Sequence, residues 1–207
     1  MTTLVALDYA AAMIFAATGA LAASRAQLDI VGFFFLACLT AVGGGTLRDL
    51  MLDRHPVFWI ADPMPIALAC GVALIVFFGA HLLESRLRVL IWLDALALPV
   101  AAAAGVAAAT EMGASWPIVL VMGVATGTFG GLMRDVVANE VPLVLKQGEL
   151  YATAALAGAG AALLAPLISA HAAAPVVACV LTAFALRAGS LAFGWRLPVY
   201  RPRPPRS

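Results

Sequence analysis

Seven runs of apolar residues, each about as long as a helix that crosses a bilayer, are separated by short polar breaks: Leu4 to Ala23, Ile30 to Leu52, Pro63 to Leu83, Val89 to Thr110, Trp116 to Ala138, Leu150 to Ser169 and Ala174 to Phe193. Roughly 20 apolar residues at about 1.5 Å rise each cover about 30 Å of hydrocarbon, so the pattern predicts seven transmembrane helices. The breaks between them, such as Ser24 to Asp29 and Asn139 to Glu149, are too short to hold a soluble domain. Placing the N-terminus outside puts Arg25, Arg86, Arg88, Lys146, Arg196, Arg201, Arg203 and Arg206 on the cytoplasmic side and leaves Arg54 as the exception. That distribution predicts an outside N-terminus and a cytoplasmic C-terminus.

Composition agrees with this pattern and narrows the function. Of 207 residues, 64% are hydrophobic and 11% charged, outside the range of a soluble domain. Lys and Arg number 12 against 11 Asp and Glu, so no basic surface for nucleic acid is expected. Met1 to Ala23 has no basic residue ahead of its apolar run, unlike a cleavable leader, and is expected to stay as the first span. Cys38, Cys70 and Cys179 lie in apolar stretches without metal-ligand or disulfide spacing and read as buried thiols. His55, His81 and His171 sit near span ends, and the chain has no nucleophile elbow, zinc helix or phosphate loop. No enzyme and no cofactor are expected.

An internal repeat organises the chain. GGGTLRD begins at Gly43 and GGLMRD at Gly130; one displacement of 86 relates Gly44 to Gly130, Arg48 to Arg134, Asp49 to Asp135 and Pro56 to Pro142, and upstream Asp8 to Asp94, Gly19 to Gly105 and Thr40 to Thr126. Each unit holds three spans, and an odd number reverses direction across the bilayer, so the second unit is inverted. The expected fold is all-α: a 3+3 inverted repeat with an added seventh helix. Its parts are residues 1–86, the inverted repeat 87–172, the seventh helix 173–195, and a basic tail 196–207. Inverted repeats that meet at a midplane site are a common plan for transport proteins.

Two features of spans two and five carry the candidate chemistry. Gly43, Gly44 and Gly45, with Gly130 and Gly131, lie past the middle of their spans. Adjacent glycines weaken an α-helix by about 1 kcal/mol each. They predict helices broken at membrane depth, with peptide groups facing protein or water. Small residues every fourth position, Ala37, Ala41 and Gly45 against Gly123, Gly127 and Gly131, equally fit a close helix crossing. Arg48, Asp49, Arg134 and Asp135 follow the glycines, and a charge near the bilayer centre costs about 2.5–3.5 kcal/mol on insertion scales. These charges read as functional, or as arginines that snorkel to the interface or pair with the opposite repeat's aspartate to fix the fold. Asp8 and Asp94 are assigned either to a vestibule or to helix N-termini, and Arg187 in the last span needs a partner that the sequence does not name.

LDYAAAMIFAATGALAASR, TAVGGGTLRDLML with PVFW, WLDALAL, GVATGTFGGLMRDVV with VPLVL, and ELYATAALAGA together resemble the prokaryotic branch of the trimeric intracellular cation channel family, also catalogued as a glycine-transporter membrane family. The likeness spans nearly all of the chain before the tail. It implies seven helices, a homotrimer in the plasma (inner) membrane of a prokaryote, and a potassium or sodium path in each protomer between broken spans two and five; membrane lipid, around the chain and as a bound component, is a separate expectation. The motif positions are Gly43, Gly44, Gly45, Arg48, Asp49, Gly130, Gly131, Arg134 and Asp135; Thr46, Thr126 and Thr128 are added as pore hydroxyls. Phe129 replaces a leading glycine, and Pro99 with an alanine run occupies span four where relatives carry glycines and a lysine. The expected function is a monovalent cation channel; the competing readings are a secondary transporter of a small zwitterion such as glycine and a membrane scaffold without transport.

Overall fold

The structure, a computed structural model, describes residues 2–83 and 85–198. Its helices are α1 (Thr3–Arg25), α2 (Ile30–Met51), the single turn α3 (Phe58–Ala61), α4 (Met64–Gly79), α5 (Arg86–Glu111), α6 (Trp116–Val137), α7 (Ala152–Leu164) and α8 (Ala174–Phe193). Short 3₁₀ turns extend α4 and α7. Six of the helical stretches are long and apolar enough to cross a membrane, and Ala152–Leu167 is a shorter apolar one. The sixth span therefore begins two residues later than expected and is shorter, because Tyr151 turns the chain into the helix with a non-helical backbone. The expected repeat boundary between 86 and 87 falls inside the first turn of α5. Arg201, Arg203 and Arg206 of the basic tail lie outside the described residues.

Helix ends follow local chemistry. Thr2, Asp29 and Ser85 accept from backbone N–H groups three residues on, capping α1, α2 and α5. Past the helix ends, Gln27 and Gly113 adopt positive φ, and so do Asp53 and Asn139. Each pair is separated by the same 86 positions as the sequence motifs, so equivalent helices stop in the same way.

α1 and α5 pack along one another in antiparallel sense: Leu4 clusters with Ala104 and Ala108, Phe15 with Ala97 and Ala101, and Arg86 Nη1 donates to the Ser24 carbonyl. Small side chains dominate this contact, as in membrane bundles where close backbone packing stands in for the hydrophobic effect. α2 and α6 cross beside them; α4 covers α1 and α2, while α7 and α8 cover the α5 and α6 side.

Both α2 and α6 run as uninterrupted α-helix through their glycines, which corrects the expected breaks. The glycines serve the crossing instead. A Cβ on Gly44 would collide with the Thr126 carbonyl oxygen, and one on Gly130 would lie 2.6 Å from the Thr40 carbonyl oxygen. Because Thr40 and Thr126 are equivalents, as are Gly44 and Gly130, the contact is reciprocal. The same relation holds for Gly19 against the Leu36 carbonyl and Gly105 against that of Met122. A pseudo-twofold axis thus passes between α2 and α6, and the absent side chains let backbone touch backbone.

Gly130→Ala is expected to lower the stability of the detergent-solubilised protein by about 1–3 kcal/mol, the usual range for overpacking, because the contacted atom is backbone that cannot rotate away. Gly71→Ala, with nothing within 4 Å of the added Cβ, should leave the unfolding midpoint unchanged or raise it.

Candidate functional site

The two Arg–Asp motifs build two matching charge clusters. Arg48 donates through Nε to Asp49 Oδ1 at 2.8 Å and through Nη1 and Nη2 to the Asp8 carboxylate at 2.5 and 3.1 Å. Arg134 donates through Nε to Asp135 Oδ1 at 2.8 Å and through Nη1 to Asp94 Oδ1 at 2.9 Å. Each guanidinium is completely buried and held by two carboxylates, so each cluster carries one net negative charge. The partners come from the same repeat, not from the opposite one. Burial of an ion costs several kcal/mol, and well-aligned charged hydrogen bonds must offset it.

The second carboxylate oxygen of each motif Asp fastens the loop that follows. Asp49 Oδ2 accepts from the Phe58 N–H at 2.9 Å, and Asp135 Oδ2 from the Leu143 N–H at 2.8 Å. The equivalence slips by one residue here, since Phe58 aligns with Val144. The Phe58 ring also lies under the Arg48 guanidinium at 5.5 Å and fills the space left by Gly45. Gly131 makes the corresponding room for the Tyr151 hydroxyl and the Asp94 carboxylate.

The halves differ in their access to space. Asp8 and Asp49 line a cavity of about 370 Å³ together with Tyr9, Arg54, Asp62 and Glu111. Of the two vestibule candidates, Asp8 borders this cavity, whereas Asp94 is fully buried. Over Asp94 lies Tyr151, whose ring carries the Arg187 guanidinium at 4.9 Å, and Arg187 Nη1 donates to Glu149 Oε2 at 2.8 Å. Glu149 is thus the partner of the lone arginine of α8.

The remaining candidates separate into contact and background. Thr126 is buried and borders a void of about 10 Å³ at the crossing, alongside Asp8, Gly44 and Gly45. Thr46 and Thr128 donate to carbonyls of their own helices, Val42 and Val124, and Thr46 also accepts from Trp59 Nε1 at 2.9 Å. Gly43 faces the Met133 sulfur and Gly130. Among the described residues no group of three or more His, Cys, Asp or Glu could hold a metal.

Sequence reasoning missed Tyr151, Glu149 and Phe58 as parts of these clusters. It also left Asp8 and Asp94 unpaired, although each precedes its arginine by 40 positions in both halves, a signal the repeat already contained. Outside the spans, the Tyr9 hydroxyl and then the Met64 N–H, both donating to Asp62, hold its carboxyl below the ordinary value. Cys38 and Cys70 bring their sulfurs within 3.7 Å of each other, and all three cysteines are free.

Asp94→Asn should destabilise the protein by about 3–5 kcal/mol, the cost of leaving a buried charge short of its partner. Asp8→Asn, beside a cavity that water can enter, should cost less. Thermal unfolding of the two variants in one detergent would order them, and equal losses would contradict the difference in access.

The glycine transporter family matches this chain twice, over residues 5–81 and 91–167, segments displaced by the same 86 positions. The UPF0126 inner membrane protein YadS of Escherichia coli (strain K12) is 39% identical over 156 residues, covering 73% of each chain. A UPF0126 membrane protein of Deinococcus radiodurans is 39% identical over 163 residues, 77% of this chain and 75% of that one. Among solved structures, a TRIC trimeric intracellular cation channel orthologue from Rhodobacter sphaeroides superposes with a TM-score of 0.89 at 44% identity, over 94% of this chain and all of the other. A prokaryotic TRIC channel in 0.5 M KCl gives a TM-score of 0.86 at 29% identity, over 92% of this chain and 96% of that one. With the repeated motifs, the helical plan and these matches in agreement, the chain belongs to the glycine transporter family of membrane proteins, the UPF0126 proteins that share the fold of prokaryotic TRIC channels.

Proposed function

We propose that the protein is a passive channel for monovalent cations, potassium or sodium, with one path in each protomer at the crossing of α2 and α6. The observation that carries the reading is the pair of buried clusters, each with one guanidinium and two carboxylates, of which the first presents Asp8 and Asp49 to a cavity. A net negative cluster bordering a water-accessible space attracts cations and disfavours anions. The likeness to cation channels at 44% identity supports the same conclusion.

The unbroken helices change how such a path works. With α2 and α6 continuous, their carbonyls stay engaged within the helices, so selectivity rests on side-chain carboxylates. The void of about 10 Å³ at the crossing has room for about one water. The path is taken as closed at the crossing itself, where conduction requires α2 and α6 to separate. The reading further assigns a homotrimer surrounded by membrane lipid, with the N-terminus outside and the C-terminus in the cytoplasm; the trimer follows the Rhodobacter sphaeroides relative.

The family's description favours glycine as an alternative cargo. Purified protein in liposomes, assayed in parallel for potassium flux and labelled glycine uptake, separates the two: potassium flux without saturable glycine uptake is expected, and the reverse overturns the proposal. In the channel, Asp8→Asn should lower cation flux roughly fivefold or more, since a unit charge about 10 Å from a cation is worth about 1–2 kcal/mol at an effective dielectric near 20. It should also shift the reversal potential in a potassium chloride gradient toward zero.

A further inference from the structure

One ion pair breaks the twofold relation of the two halves. Arg25, the last residue of α1, pairs through Nη1 with Glu140 Oε2 at 3.0 Å, just past the end of α6. Displaced by 86, Arg25 becomes Glu111, the last residue of α5, and Glu140 answers to Arg54, just past the end of α2. The axis that makes Gly44 and Gly130 reciprocal therefore places Glu111 and Arg54 as the matching pair at the opposite end of the bundle. Opposite charge is conserved between the two places, with the signs exchanged.

At that end the pair is apart. Glu111 and Arg54 both line the cavity of about 370 Å³ that holds Asp8 and Asp49, Glu111 is exposed, and Arg54 Nη1 is buried without a hydrogen-bond partner. One end of the α2–α6 crossing is fastened while its twofold counterpart stands open over the carboxylates.

We infer that Arg54 and Glu111 form a second latch, which closes over the Asp8–Asp49 cavity by the same contact that Arg25 and Glu140 make at the other end. This rests on the channel reading for its consequence, because a closed latch shuts the cavity to cations. The attraction is between unlike charges at a partly solvated mouth, so its contribution is modest and easily reversed, as a moving closure requires.

Two measurements test it. In the full-length protein with Cys38, Cys70 and Cys179 replaced by Ala, Arg54→Cys with Glu111→Cys should cross-link under mild oxidation, read as a shift on a non-reducing gel after cleavage between α2 and α5, as Arg25→Cys with Glu140→Cys should. Cross-linking at positions 25 and 140 without cross-linking at positions 54 and 111 overturns the latch, and this readout does not depend on transport. In liposomes, Arg54→Glu and Glu111→Arg singly should raise potassium flux roughly two- to fivefold, the shift in a closing equilibrium expected when one partly exposed ion pair is lost. The double exchange should return flux to the wild-type level. Unchanged single variants, or a double exchange as leaky as the singles, overturns the closure. Cross-linking of the cysteine pairs at both ends, with a wild-type protein that carries no potassium, defeats the channel reading and leaves the paired latches standing.

Discussion

The structure depends on a buried arginine in each half that is balanced within its own three-helix unit. Arg48 draws Asp8 from α1 and Asp49 from α2 into one contact, and Arg134 does the same with Asp94 from α5 and Asp135 from α6. In hydrocarbon a charge left alone is costly, so these contacts fix which helices are neighbours and at what depth. The motif carboxylates extend that constraint into the connecting loops through the Phe58 and Leu143 N–H groups. The glycines follow from the same demand, because a crossing near enough to enclose both clusters leaves no space for side chains where α2 meets α6.

Much of this architecture is readable in the residues. Runs of about 20 apolar positions mark the spans, and the constant displacement between GGGTLRD and GGLMRD marks the halves. The glycines supported two outcomes, a broken helix or a close crossing. Their local propensity favoured the first, whereas the tertiary contact with Thr40 and Thr126 selects the second. Propensity is a weak force next to packing, and no single span contains the carbonyl oxygen that its glycine must meet. The partners of Arg187 and the burial of Asp94 were illegible for a similar reason: both rest on Tyr151 and Glu149, which belong to the connection before α7 and reach the cluster only once α7 and α8 have docked.

The two halves share a frame and differ in their cladding. Around Arg134 the cluster is enlarged by Tyr151, Arg187 and Glu149, which tie the added helix α8 to the second unit. Around Arg48 the corresponding space is taken by the Phe58 ring and by a cavity. One pseudo-symmetric cluster is therefore enclosed by protein and the other borders a cavity.

The exchanged signs at Arg25–Glu140 and Glu111–Arg54 have a consequence for the chain as a single polypeptide. Two identical three-helix subunits, related by a true twofold, would have to place the same residue at both equivalent sites and so present the same order of charges at each membrane surface. Covalent union removes that requirement. The chain can then give its two ends opposite polarity at corresponding places, so that a pseudo-symmetric frame becomes an electrostatically directional molecule.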